Sequence, residues 1–264
     1  MADSSDRSAL PLRLHLAAVF AFLYIPISVL MLLSFNRAGL PTAWTGFSLE
    51  WYARLGDSGD IISAAGNTLF VALVSTVLAT ILGTLLALGV EKRRSSSALD
   101  ALLFAPMIIP DIVLAIALLS FYTVLDFTLG LHSIILSHVV FNIAFVCAVV
   151  RARLRHFDHA LVEAAEDLGA DVFTTFRRVT LPLLFPGVLA GALLAFTLSV
   201  DEFIIAFFTA GAGTSSTTLP MRIYSMIRFG VTPEINAMAT IVMIFSFTMV
   251  FFSQRLDRPA PTNK

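Results

Sequence analysis

Charge is scarce in this 264-residue chain: Asp, Glu, Lys and Arg together make up 13%, against 58% hydrophobic residues and a mean hydropathy of +0.88. So much apolar surface exceeds what a soluble core of this size can hide, which excludes an ordinary globular domain. Cysteine is nearly absent. Cys147 stands alone within an apolar run, so an internal disulfide and a thiolate metal cluster are both excluded. Lysine is limited to Lys92 and Lys264, and neither sits in the Gly-x-x-x-x-Gly-Lys-Ser/Thr pattern whose amides and lysine cradle phosphates. The chain therefore carries no ATP-hydrolysing site and no bound cofactor of that kind. A net charge of −1, with the basic residues spread over the loops and not gathered into a patch, argues against a nucleic-acid partner. His156 and His159 have the i, i+3 spacing of a ligand pair but no third ligand nearby, so they read as a solvated face, and no metal is expected.

Long uncharged runs are what the chain does have. Leu14–Asn36, Ile61–Val90, Phe127–Val150, Val179–Val200 and Ile235–Gln254 are each long enough to cross about 30 Å of hydrocarbon as helix. Ala101–Leu125 makes a sixth, interrupted only by Asp111. Alternation of period two is absent, so the runs read as helices and not as barrel strands. The expected fold is all-α and polytopic, with about six transmembrane helices in contact with membrane lipid. Basic residues choose the topology: 13 of the 17 Lys and Arg fall in the two termini and the two loops on their side, and 4 in the opposite loops. Both termini and the 151–182 loop are thus expected in the cytoplasm. Residues 1–62 read as an anchor helix and outer loop, 63–254 as the main transmembrane domain and 255–264 as a cytoplasmic tail.

The 151–182 loop is too polar and too punctuated for a simple connection. Asp158 can cap a helix through His159–Leu168, with Gly169 where a left-handed C-terminal cap is wanted. Asp171 can cap a second helix, Val172–Val179, which Pro182 should stop. Leu161, Ala165 and Leu168 share one face of the first, and Val172, Phe176 and Val179 one face of the second, which also suits a pair lying on lipid headgroups. The residue pattern is more specific: Glu163-Ala164-Ala165, three residues, Gly169, nine residues, Val179, one residue, Leu181-Pro182. This resembles the EAA loop of ABC importer permeases, which usually has Ile at the place of Val179.

The resemblance covers about Ser63 to Ser253. It implies a type I importer permease fold in a bacterial inner membrane, with Glu163, Ala164, Ala165, Gly169, Leu181 and Pro182 seating the loop in a cleft of a cytoplasmic ATPase. ATP would then be bound by that partner, and the chain itself would have no catalytic residue.

Intramembrane carboxylates are costly, so Asp111, Asp201 and Glu202 are candidates for a transport pathway. Asp111 follows Pro110, with Pro106 one turn earlier, so a kinked helix there would present freed carbonyls beside a carboxylate, a combination suited to a cation. Counted along a straight helix from Ala101, Asp111 lies about 15 Å deep. Asp201 and Glu202 could instead reach toward water or pair with Arg222. His138 and Asn142, one turn apart, read as hydrogen-bonding between helices, and Asn67, Gly83 and Gly89 as packing positions.

"SVDEFIIAFFTAG" and "TTLPMRIYSMIRFGVTPEINAMAT" resemble the spermidine/putrescine branch of these permeases. That branch implies a polyamine cargo, a sister permease, an ATPase pair and a periplasmic binding protein, with Tyr224 joining the acids through cation–π attraction. Two other readings remain open: a permease for another small organic solute, and an ion-coupled carrier using the three acids as a relay. The carrier reading leaves the 151–182 loop unexplained.

Overall fold

The computed structural model describes residues 4–39, 44–93, 97–155, 157–158, 160–228, 230 and 232–256. His156 and His159 lie outside the described residues. The helices are α1 (Ser4–Leu33), α2 (Glu50–Asp57), α3 (Gly59–Arg93), α4 (Ser97–Ile108), α5 (Asp111–Val124) and α6 (Leu131–Leu154). They continue as α7 (Ala160–Asp167), α8 (Val172–Thr175), a π-turn at Phe176–Thr180, α9 (Leu181–Asp201), α10 (Ile204–Thr209), α11 (Leu219–Ile227) and α12 (Pro233–Leu256). The protein is all-α; among the described residues the only β feature is the isolated bridge Asn36–Phe47.

Among the described residues, four stretches are long and apolar enough to span a bilayer alone: Pro11–Leu33, Gly59–Glu91, Leu131–Leu154 and Val172–Asp201. The expected third span is a broken pair, α4 and α5, bent by 104° at Ile109–Pro110. Pro110 lacks the N–H an unbroken helix would need, and its extended ψ of 136° ends one helix and starts the next. The depth reckoned for Asp111 along a straight helix therefore does not apply. The last expected run, Ile235–Gln254, falls on α12, Pro233–Leu256.

The chain forms two compact units, one of residues 1–59 and 223–248, the other of residues 60–222 and 249–264. In the first, the turn after α1 is held by its own side chains. Phe35 stacks on Phe47 and Tyr52, Ser34 hydrogen-bonds Tyr52 at 2.7 Å, and Trp51 Nε1 donates to the Asn36 carbonyl at 2.8 Å.

In the second unit α6 is the central helix, with small residues letting its neighbours approach. A Cβ on Gly83 of α3 would fall 2.8 Å from Val146 Cβ, and one on Gly187 of α9 would fall 2.8 Å from Arg153 Cβ. Gly89, by contrast, faces open space. Around these contacts Ala87, Val146, Cys147, Val150, Leu184 and Ala195 form one core cluster. A second gathers α5, α6 and α10 through Ala115, Leu118, Tyr122, Phe141 and Ile205.

Polar ties cross the same interior. His138 Nδ1 and Ser199 Oγ lie 2.6 Å apart, and Ser199 Oγ and Ser75 Oγ 3.0 Å apart, joining α6, α9 and α3. His138 thus makes the expected interhelical bond, whereas neither amide atom of buried Asn142 has a hydrogen-bond partner among the described residues. Asn67 does not pack between helices; its Nδ2 donates to the Ser215 and Thr217 carbonyls at 2.9 Å each, holding the loop before α11. Arg151 of α6 anchors α4, pairing with Asp100 at 2.6 Å and lying over the Phe104 ring at 5.6 Å.

Candidate functional site: an acid pocket and a capped elbow

The acid pocket occupies about 460 Å³ where two breaks in helical structure meet. Asp111 stands in the first turn of α5, directly after the α4–α5 bend. Asp201 is the last residue of α9, and Glu202 is extended, with ψ 118°, before α10 begins. Sequence separation hides this; the fold brings all three carboxylates into one cavity wall.

Asp111 and Glu202 are half-buried and Asp201 is exposed. Glu202 is oriented by its own backbone surroundings, because Oε1 accepts from Ile205 N–H at 2.5 Å. The other walls are Phe141, Thr197, Leu198, Phe203 and Ile204. The last carbonyls of α9 add the negative end of a helix dipole to the carboxylates. Acids, carbonyls and aromatic rings in one cavity can hold a cation with an aliphatic body.

Phe203 follows the Asp-Glu pair in sequence and could have been read with it. Phe141 could not, since α6 meets the pocket only through tertiary packing. Tyr224 stands on α11, exposed, in the other unit from this pocket. Arg222 Nη2 donates to Asp60 Oδ2 at 3.3 Å.

At the other end of α9 lies the elbow, built largely from local hydrogen bonds. Asp158 Oδ1 accepts from Ala160 N–H at 3.0 Å at the start of α7. At its end Gly169 takes φ +84°, Gly169 N–H donates to Glu166 O at 2.9 Å and Ala170 N–H to Ala165 O at 3.0 Å. That pair of bonds is a complete Schellman closure. Asp171 Oδ1 then accepts from Thr174 N–H at 3.3 Å to start α8. Hydrogen bonding with Thr174 also holds the Asp171 carboxyl below its ordinary pKa.

One expectation fails here. The second elbow helix does not stop before Pro182; it passes through the π-turn straight into α9. Leu181 N–H bonds Phe176 O, five residues back, so the wider turn absorbs the mismatch around the prolyl ring without ending the helix.

Glu163, Ala164, Gly169 and Pro182 are exposed, while Ala165 and Leu181 are half-buried. The outermost apolar side chains are Leu168, Val172 and Phe173, at 89%, 76% and 68% exposure. Leu168 and Val172 were expected on the apolar faces. Phe173 was not, because its prominence depends on how the elbow turns after Gly169.

Known proteins resemble the chain over most of its length. A family model described as "Binding-protein-dependent transport system inner membrane component" covers residues 79–259. The spermidine/putrescine transport system permease protein PotC of Escherichia coli K12 is 41% identical over 245 residues, 92% of each chain. The putrescine transport system permease protein PotI of the same organism is 40% identical over 233 residues, 85% of this chain and 82% of its own. Among solved structures, a chain from a bacterial ABC transporter that imports the acidic polysaccharide alginate aligns with a TM-score of 0.76 at 15% identity, covering 98% and 99% of the two chains. A chain of the MetNI methionine transporter aligns at 0.62 and 19% identity, covering 74% and 94%. The chain is thus a multi-pass membrane permease, and it belongs to the family of binding-protein-dependent transport system inner membrane components.

Proposed function

We propose that this permease forms half of the translocation pathway of an ATP-driven importer for polyamines in a bacterial inner membrane. Its companions in that reading are a sister permease, a pair of cytoplasmic ATPase chains and a periplasmic binding protein. Residues 63–254 supply the pathway and both termini face the cytoplasm, in keeping with the distribution of basic residues.

The observation that carries the cargo reading is the convergence of Asp111, Asp201 and Glu202 on one cavity. A polyamine is a string of ammonium groups on methylene linkers. Carboxylates balance the ammonium charges while Phe141, Phe203 and Leu198 cover the methylenes. The names of the 41% and 40% identical relatives point to the same cargo.

The coupling role rests on the elbow. Capped at both of its helices, it is a stiff body presenting Leu168, Val172 and Phe173 to a partner beside Glu163 and Ala164. Gly169 and the continuous run through Leu181-Pro182 would pass a push from the ATPase directly into α9. ATP hydrolysis belongs to that partner; the purified chain alone is expected to hydrolyse none.

The test is uptake of labelled putrescine by cells relying on this importer. Asp111→Asn and Asp201→Asn should each weaken uptake with the protein still inserted. Wild-type uptake by both would remove the acid pocket from the pathway.

A further inference from the structure

The helix that delivers Asp111 to the acid pocket is poorly fixed by its own packing. None of the residues of α4 is buried, and Leu102 and Ile108 are 72% and 77% exposed. At its end the chain turns through 104° and enters α5 at Asp111. That turn has no slack. Ile109 N–H still donates to Ala105 O at 2.9 Å on the α4 side, while Val113 and Leu114 N–H already donate to Pro110 O at 2.9 and 3.2 Å on the α5 side. The prolyl ring fixes φ of the residue between. Ile112 and Val113 are exposed, and the packing of α5 against Phe141 and Ile205 begins only with Leu114 and Ala115. Where α4 stands therefore sets where Asp111 stands.

The polar anchor of α4 is Arg151 of α6. Its Nη1 donates to Asp100 Oδ1 at 2.6 Å and its guanidinium lies over the Phe104 ring at 5.6 Å, so one side chain grips two successive turns. The Arg151 side chain is 12% exposed and that of Asp100 36%, which shields the pair from water better than a surface ion pair. Arg151 in the last turn of α6 and Asp100 in the first turn of α4 also stand at the helix ends whose dipoles favour their charges. The same α6 supplies Phe141 to the wall of the acid pocket, about 15 Å along the helix from Arg151. One helix thus holds the pocket wall at one level and clamps α4 at another. Between clamp and bend, α4 is a strut of about 12 Å from Asp100 to Ile108.

We propose that Arg151 is a positioning residue for the cargo: its clasp on Asp100 and Phe104 sets the place at which α4 presents Asp111 to the cavity shared with Asp201 and Glu202. Arg151 touches no cargo itself. The inference rests on the reading of that cavity as the polyamine pathway. A plain structural brace would be felt as less inserted protein or a lower maximal rate. A positioning clasp is felt as a raised KM, and only while Asp111 keeps its charge.

The experiment measures KM and maximal rate of labelled putrescine uptake, with inserted protein quantified by immunoblot, for Arg151→Gln, Asp111→Asn and the two combined. Arg151→Gln should raise KM about fivefold, within the range for losing a charge-assisted contact. Added to Asp111→Asn it should change KM by less than about twofold, whereas independent sites would multiply to within about that factor. Asp100→Asn should match Arg151→Gln, and combining those two should raise KM no further. Phe104→Leu leaves both charges in place and removes only the ring, so it carries the same cycle with Asp111→Asn should Arg151→Gln fail to insert. A KM unchanged by the clasp variants, or effects that multiply with Asp111→Asn, overturns the inference and leaves the pathway standing. A KM unchanged by Asp111→Asn removes the acid pocket from the pathway, and the clasp's role with it.

Discussion

The two ends of α9 solve the same problem, polar groups beside a membrane-spanning helix, by opposite means. At the elbow every cap is local: Asp158 serves Ala160, Gly169 and Ala170 close on Glu166 and Ala165, and Asp171 serves Thr174. At the acid end the cavity is assembled from α5, α6 and the α9–α10 break, far apart in the chain. In the importer proposed above, the elbow would move as one piece because its caps are local, and the acid pocket would change shape with the helices that build it. A part that transmits force suits the first construction, and a part that opens and closes around cargo suits the second.

The sharpest way to break this contrast is at Gly169. A Cβ there meets nothing within 4 Å, so any penalty comes from φ +84° and not from crowding. Gly169→Val forces a β-branched residue into the left-handed region, where an L-residue pays about 1–2 kcal/mol, and should reduce uptake to background with insertion unchanged by immunoblot. Gly169→Asn tolerates that region and should keep most uptake, which would locate the defect in the turn.

Next comes the acid end. Asp111→Asn should raise the KM for putrescine uptake about tenfold, as expected for one charge-assisted bond of about 1.4 kcal/mol or more. If the pocket acts as a unit, Asp201→Asn added to it should be less than multiplicative.

A smaller effect tests the packing on which the junction depends. His138→Ala should cost about 0.6 kcal/mol, typical of an interhelical hydrogen bond in a membrane, read as thermal unfolding of the detergent-solubilised complex. A double-mutant cycle with Ser199→Ala should show coupling, because the two atoms lie 2.6 Å apart.

The smallest effect belongs to the Asp171 cap. Its carboxyl titrates below the ordinary value because it hydrogen-bonds Thr174, so the ionised form is the one the fold favours. The contribution is thus present above the unfolded pKa and fades as pH falls through the lowered folded one. Amide exchange at Thr174 should accelerate only in strongly acidic buffer, and Asp171→Asn should remove that step.

How far the sequence could be read follows the same division. Spans appeared as uncharged runs because hydrocarbon tolerates nothing else over that length. The elbow appeared as Asp, Gly and Asp at cap positions because capping is decided within a few residues. Pro182 misled for an instructive reason: a proline ends a helix only if the neighbouring carbonyls cannot be accommodated, and the π-turn at Phe176–Thr180 accommodates them. The straight-helix reckoning at Asp111 failed likewise, since a kink at Pro110 was foreseeable but a bend of 104° was not. Asn67 was assigned to packing because its carbonyl partners, Ser215 and Thr217, lie in a loop distant along the chain.

Sequence alone determined the membrane class, the helical character, the capped elbow and the short roster of acids available for a pathway. Each depends on hydropathy, backbone donors or charge, which act over one or two turns. Tertiary structure decided that Asp111, Asp201 and Glu202 share a cavity, that Phe141 joins them and that Phe173 projects from the elbow. Those outcomes depend on where one helix breaks and how closely glycines such as Gly83 and Gly187 let others approach, quantities that exist only once the helices have packed.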